Sequence, residues 1–154
     1  MLRPAITADA VAVAAVDGTI AALNPESGKA RWQTQLDGCP VESPAADSDT
    51  ITVATENGSL FGFDARSGDQ LFRFATEADI DVAPAIADNV AWVTDRNETV
   101  YAVRCDNGIE EWRHPQKESK IRRIRATHSQ ATLGLKNGMI ESFITPLAGV
   151  FTDF

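Results

Sequence analysis

Residues 57–72 read NGSLFGFDARSGDQLF, and residues 17–32 read DGTIAALNPESGKARW. Each stretch has a turn glycine, a short apolar run, a second turn glycine and then an aromatic, all in one register. The same lattice runs along the whole chain. Gly18, Gly58 and Gly138 fall on one forty-residue spacing, with Glu98 in the remaining slot. Gly28, Gly68 and Gly108 share that period, as do Trp32, Phe72 and Trp112, and Pro4, Pro44 and Pro84. A fixed period of this length means a solenoid, a propeller or an array.

Within the unit, the second example predicts four short strands. Glu42 to Ala46 forms the first and the β-branched run Ile51 to Glu56 the second. Asn57-Gly58 signals a two-residue hairpin with both central residues at positive φ. Ser59 to Asp64 is the third strand, Arg66-Ser67-Gly68 turns the chain, and Gln70 to Thr76 is the fourth. The middle strands are apolar at nearly every position, as in Val11 to Val16, which implies cover on both faces. Small residues such as Ala12, Ala54, Gly62 and Ala102 permit sheets to stack closely. The fold class is therefore all-β: a β-propeller type with four four-stranded antiparallel blades of forty residues, at approximately 1–38, 39–78, 79–118 and 119–154, in a single domain 1–154. The last unit is degenerate. Leu147-Ala148-Gly149 replaces the second glycine turn, and Thr152, flanked by Phe151 and Phe154, takes the aromatic position. Terminal repeats often depart from the pattern because they cap or close the array.

The net charge of -8 makes nucleic acid an unsuitable partner, because phosphate binding needs basic residues in excess. No run reaches the roughly 18 apolar residues of a membrane span. Ala10 to Val16 is apolar but aligns with ITVATENG and ATLGLKNG, and it lacks the basic flank and cleavage site of a signal peptide. The expectation is a cytoplasmic chain unless it is trimmed from an exported protein. Cys39 and Cys105 occupy different phases of the repeat, at opposite ends of the strands, so two free thiols are expected.

The quoted stretches resemble the repeat of the PQQ-like β-propeller family, roughly DGxLYALDAxTGxxxW. The Ser43-Pro44-Ala45 and Ala83-Pro84-Ala85 openings are similar to that family as well. The family includes quinoprotein dehydrogenases, an outer-membrane-protein assembly lipoprotein, and sensor or scaffold domains. The resemblance implies that Trp32, Phe72 and Trp112 pack between neighbouring blades. A large ring in an otherwise aliphatic array is well used to anchor one sheet on the next.

Chemistry finds little purchase. Dehydrogenases of this family close about eight blades around the quinone, and the alcohol-oxidising members carry adjacent cysteines. Here Cys39 and Cys105 lie far apart, so no cofactor is expected. Glu77, Asp79 and Asp81 lack the glycine-bearing loop of a calcium site. His114 and His128 have no ligand partner at zinc spacing, and His128 and Ser129, as neighbours on a strand, point to opposite faces. The remaining feature is basic. Arg113, Lys117, Lys120, Arg122, Arg123 and Arg125 are opposed by Glu118 alone, giving +5 in a chain of -8. Lys117, Lys120, Arg122, Arg123 and Arg125 are candidates for contact with an acidic partner at the channel mouth; charge balance against Asp79 and Asp81 is the competing reading.

Four blades are half of eight, and an open arc exposes apolar faces. The sequence reading is a non-catalytic scaffold for protein–protein interaction that completes its ring by self-association, two copies making eight blades, or by docking onto a missing half. The alternative is a fragment or relic of a PQQ-dependent quinoprotein dehydrogenase.

Overall fold

The structure is a computed structural model, and it describes residues 2–117, 119–127 and 130–144. His128 and Ser129, rejected above as a pair, Glu118, and the degenerate turn and aromatics at Leu147-Ala148-Gly149, Phe151, Thr152 and Phe154 lie outside the described residues.

Four antiparallel sheets follow one another. Blade 1 holds β1 (Ala5–Ile6), β2 (Val11–Ala14), β3 (Thr19–Leu23) and β4 (Ala30–Gln35). Blade 2 holds β5 (Ala45–Asp47), β6 (Thr50–Thr55), β7 (Ser59–Asp64) and β8 (Gln70–Ala75). Blade 3 holds β9 (Ala85–Ala87), β10 (Val90–Thr94), β11 (Thr99–Arg104) and β12 (Glu110–Pro115). Blade 4 has three described strands, β13 (Ile121–Thr127), β14 (Gln130–Leu135) and β15 (Ile140–Ile144). Each sheet is a simple meander with sequential neighbours. The first strands lie side by side, β1 beside β5, β5 beside β9 and β9 beside β13, so they form the inner rim.

The hairpins differ from expectation in one respect. Asn57 does not adopt positive φ; Gly58 alone does, at +79°. Ser59 pairs with Thr55, and the Gly58 amide donates to the Thr55 carbonyl at 3.1 Å. The loop therefore has three residues closed by a left-handed glycine, the alternative hairpin in which one position carries the strain. Asn57 is freed to bond elsewhere: its side chain accepts from Thr55 Oγ1 at 2.6 Å and donates to the Asp37 carbonyl at 3.0 Å. The mirror-image two-residue turn occurs instead at Asp88-Asn89, with φ of 51° and 64° between paired Ala87 and Val90. No glycine marks it in the sequence.

The second turn of blades 1 and 2 is held by a side chain at its start. Asp64 accepts from the Arg66 and Ser67 amides, both at 2.8 Å, and these donors, Ser67 first, hold its carboxyl below the usual range. Asn24 makes the same pair of bonds in blade 1. Just beyond it, the outer strand carries a bulge at one register position in blades 1, 2 and 3: after Ala22, Gly62 and Ala102. Those three small residues pair directly with Trp32, Phe72 and Trp112. At Gly62 the fit is closest, since an added Cβ would fall 2.0 Å from the Phe72 ring. The ring lies on bare backbone.

Each aromatic then reaches forward to the next blade. The Trp32 ring sits 5.8 Å from Phe63, its Nε1 donates to the Ala65 carbonyl at 3.0 Å, and it abuts Gly68. Phe72 lies against Gly108 and shares a core with Tyr101, Val103 and Cys105. Trp112 packs on the core shared with Ile124 and Leu133 and meets Trp92 edge-on at 5.9 Å. The inter-blade anchoring implied by the resemblance is the observed packing.

Candidate partner-binding faces

Three cores join the blades in series. The first unites Ile20 and Ala22 with Ile51, Val53, Phe61 and Phe63. The second unites Leu60 and Phe72 with Val93, Tyr101 and Val103. The third unites Trp92 and Val100 with Ile121, Ile124 and Leu133. Among the described residues no fourth core joins blade 4 to blade 1. Among the described residues, two sheet faces, one of blade 1 and one of blade 4, have no core packed against them.

The face of blade 1 is apolar. Ile6 pairs with Val11, Val11 with Leu23, and Val13 with Ala21, so these side chains share one side of the sheet. Ile6 is 71% exposed, and Val11, Val13 and Leu23 are half-buried. Forty residues later the same positions are Ala46, Ile51, Val53 and Phe63, packed within the first core. The difference is the presence of a neighbour, not the chemistry of the side chains.

The face of blade 4 is built otherwise. One row reads Arg125, Thr132 and Ser142, and the next reads Arg123, Gly134 and Ile140. The Thr132 and Ser142 hydroxyls lie 3.4 Å apart. Arg123, Arg125, Thr132, Leu133, Gly134 and Ile140 line a cavity of about 210 Å³. In the repeat register Arg125 falls where blades 1, 2 and 3 have Ala5, Ala45 and Ala85.

The structure separates the basic residues singled out from the sequence. Lys120 Nζ bonds Asp81 at 2.8 Å, which raises its pKa. Arg113 forks onto Glu110 at 2.6 and 2.7 Å, pairs with Glu77, and lies 5.1 Å over the Tyr101 ring. Arg96 reaches Asp79 at 3.4 Å and Asp81 at 3.8 Å. The acidic loop Glu77, Asp79 and Asp81 is thus matched to Arg96 and Arg113 of blade 3 and to Lys120 in the connection that follows it. Lys117 is exposed beside a different cavity lined by His114, Pro115, Gln116 and Glu141. Arg122, Arg123 and Arg125 are exposed on β13 and form no ion pair among the described residues.

Two further groups escaped the sequence reading. Asp95 is buried and accepts from the Asn97 and Thr99 amides at 3.0 and 3.1 Å and from Tyr101 Oη at 2.8 Å. Burial first, then that bond, pushes the Tyr101 pKa up to about 12. Tyr101 Oη in turn accepts from the Glu77 amide at 3.3 Å, which ties blade 3 to the end of blade 2. Both cysteines are free thiols, Cys39 exposed and Cys105 buried, and burial pushes the Cys105 thiol up to about 12.

Comparison with known proteins agrees with this architecture. The family model described as "Outer membrane protein assembly factor BamB", a PQQ-like repeat family, matches residues 16–138. The chain belongs to that family. The outer membrane protein assembly factor BamB of Bordetella pertussis (strain Tohama I) is 24% identical over 139 residues, covering 90% of this chain and 35% of that protein. The chain thus spans about a third of the length of that curated relative. Among solved structures, BamB from Moraxella catarrhalis superposes with a TM-score of 0.77 at 17% identity, covering 93% of this chain and 49% of the other. The computationally designed Ika4 protein gives 0.79 at 16%, covering 93% and 89%. The designed Ika8 protein gives 0.77 at 17%, covering 92% and 44%. These structural likenesses speak to the fold.

Proposed function

We propose from that family membership that the chain is a non-catalytic scaffold, one that holds other protein on the open ends of its arc of blades. The observation that carries this reading is the series of three cores without a fourth among the described residues. Sheet faces whose counterparts pack against a core in the neighbouring repeats are docking surfaces in waiting, because exposed apolar patches of this kind mark interaction sites. The names of the relatives, assembly factors for outer membrane proteins, support a protein client over a small substrate.

Ring completion by a second copy, eight blades in all, is the form of docking that the blade 1 face favours. Ile6, Val11, Val13 and Leu23 form the apolar strip that another blade would cover. Light scattering behind a sizing column tests it. Self-pairing gives a mass of twice 16.6 kDa, returning to the single value in Leu23→Glu with an unchanged circular dichroism spectrum and a lower melting temperature, because the lost partner no longer stabilises the fold. A single-copy mass for the unmodified protein throughout the micromolar range rejects self-pairing and leaves a different protein as the occupant.

A further inference from the structure

We propose that the open face of blade 4 docks an extended acidic segment of a partner protein, held by Arg123 and Arg125 over an apolar floor. The inference rests on the scaffold reading above and is the alternative to self-pairing, since a second copy completing the ring would cover this same face. Its first support is charge accounting. Arg66, Arg73, Arg96, Arg104 and Arg113 each have a carboxylate within 4 Å, while Arg3 and Arg31, far apart in the chain, have none among the described residues. Arg122, Arg123 and Arg125 lie within four residues of one another in a chain of net charge -8 and have none among the described residues. Acids are abundant here, yet among the described residues none is paired with these three guanidiniums; the one carboxylate that reaches the strand, Glu98, accepts from the Ile121 amide at 2.7 Å.

The second support is geometric. Arg123 and Arg125 are alternate residues of β13, each opposite a residue of β14 on the same face. Alternate side chains on a strand stand about 6.6 Å apart, the spacing of alternate carboxylates on an extended peptide. Each guanidinium offers a planar fork that matches a carboxylate. Between Arg123 and Ile140 the sheet is cut away at Gly134, where an added Cβ would meet nothing nearer than Arg123 Cβ at 3.8 Å. The resulting cavity, bounded on this face by the Gly134 backbone, Thr132 and Ile140, suits an aliphatic side chain beside the acids. Nucleic acid fits this apolar floor poorly and is repelled by the rest of the chain.

The third support concerns the competing occupant. At the seam of blades 1 and 2, the Arg3 amide donates to Ser43 Oγ at 2.7 Å, so equivalent positions forty residues apart meet there. A second copy continuing that register would set its Arg3 beside Arg123. It would also enclose Arg125 where alanines pack in blades 1, 2 and 3. Like charges and an enclosed unpaired guanidinium make that copy a poor fit.

The test is fluorescence anisotropy with a labelled nine-residue peptide of alternating Glu and Leu, an otherwise identical Lys and Leu peptide, and a short RNA duplex. The expected result is saturable binding of the acidic peptide alone, weakened about tenfold or more by Arg123→Glu with Arg125→Glu and unchanged by Arg31→Glu. Gly134→Leu, which fills the cavity and leaves every charge in place, is expected to weaken binding as well. Thermal melting confirms that each variant is folded, and scattering reports its mass. Equal binding to the double variant, equal binding to Gly134→Leu, or tighter binding of RNA overturns the proposal. A double variant that loses a paired mass while the peptide never binds assigns the face to a second copy instead. A monomeric protein that binds the peptide rejects self-pairing and keeps this site.

Discussion

In blade 2 both sides of the sheet are closed: Ile51, Val53, Phe61 and Phe63 face blade 1, while Leu60 and Phe72 face blade 3. In blade 4 one side is closed, with Ile124, Ala131 and Leu133 against blade 3, and the other leaves Arg125, Thr132 and Ile140 open. The two blades share the register of their described strands and the hairpin closed by Gly58 and Gly138. What differs is place in the series, and the two ends of the series meet solvent differently. Blade 1 keeps the apolar side chains of an interior blade. Blade 4 substitutes arginine, threonine and glycine for them. An array built from one unit thus carries two unlike ends.

The sharpest way to break this comparison is to remove the closed-side anchor. Phe72→Ala should lower unfolding free energy by about 3–5 kcal/mol in a denaturant titration. The expected reason is a void over Gly62 and Gly108 that neither backbone can fill. A smaller loss, about 1–3 kcal/mol, is expected for Tyr101→Phe, which leaves buried Asp95 short of a donor. That variant also has a pH signature. The phenol is favoured in its protonated form by folding, from its ordinary 10 up to about 12. Its contribution is therefore complete below pH 10 and lost as pH rises through about 12, and the alkaline fall in melting temperature should be shallower in Tyr101→Phe. Cys105 falls in the same window and supplies the remaining slope. Trp32→Phe keeps most of the ring and deletes its bond to the Ala65 carbonyl, for about 1 kcal/mol. Ile140→Ala on the open face should change stability by no more than about 0.5 kcal/mol; a loss matching that of Phe72→Ala would show that this face is covered. Last, pyrroloquinoline quinone with calcium should leave the melting temperature where it was. A rise would revive the dehydrogenase reading.

The repeat made the sheets legible because every turn glycine and every anchoring ring recurs at forty residues. The same regularity hid the ends. Nothing local to Ile6 or Val11 distinguishes them from Ala46 or Ile51; only the absence of a preceding core does. Arg125 is among the candidates, and its register position, alanine in the other three blades, could have set it apart within the basic run. The turn at Asp88-Asn89 was missed for want of a glycine. Asn57-Gly58 was read as the tighter hairpin because the asparagine side chain's bond to Asp37 lies outside the local sequence. Within the basic run, sequence could not separate Lys120, drawn to Asp81 from 39 residues away, from Arg123, which has no such acid.

The bond from Trp32 to the Ala65 carbonyl points forward along the chain, and Phe72 and Trp112 lean the same way. On a ribosome, every newly made sheet therefore emerges with its ring unhoused until the next forty residues arrive. At about 5–20 residues per second that wait is roughly 2–8 s. Maturation proceeds as a relay from the amino end, and the most recently made sheet is always the vulnerable one, the place where a chaperone would find something to hold.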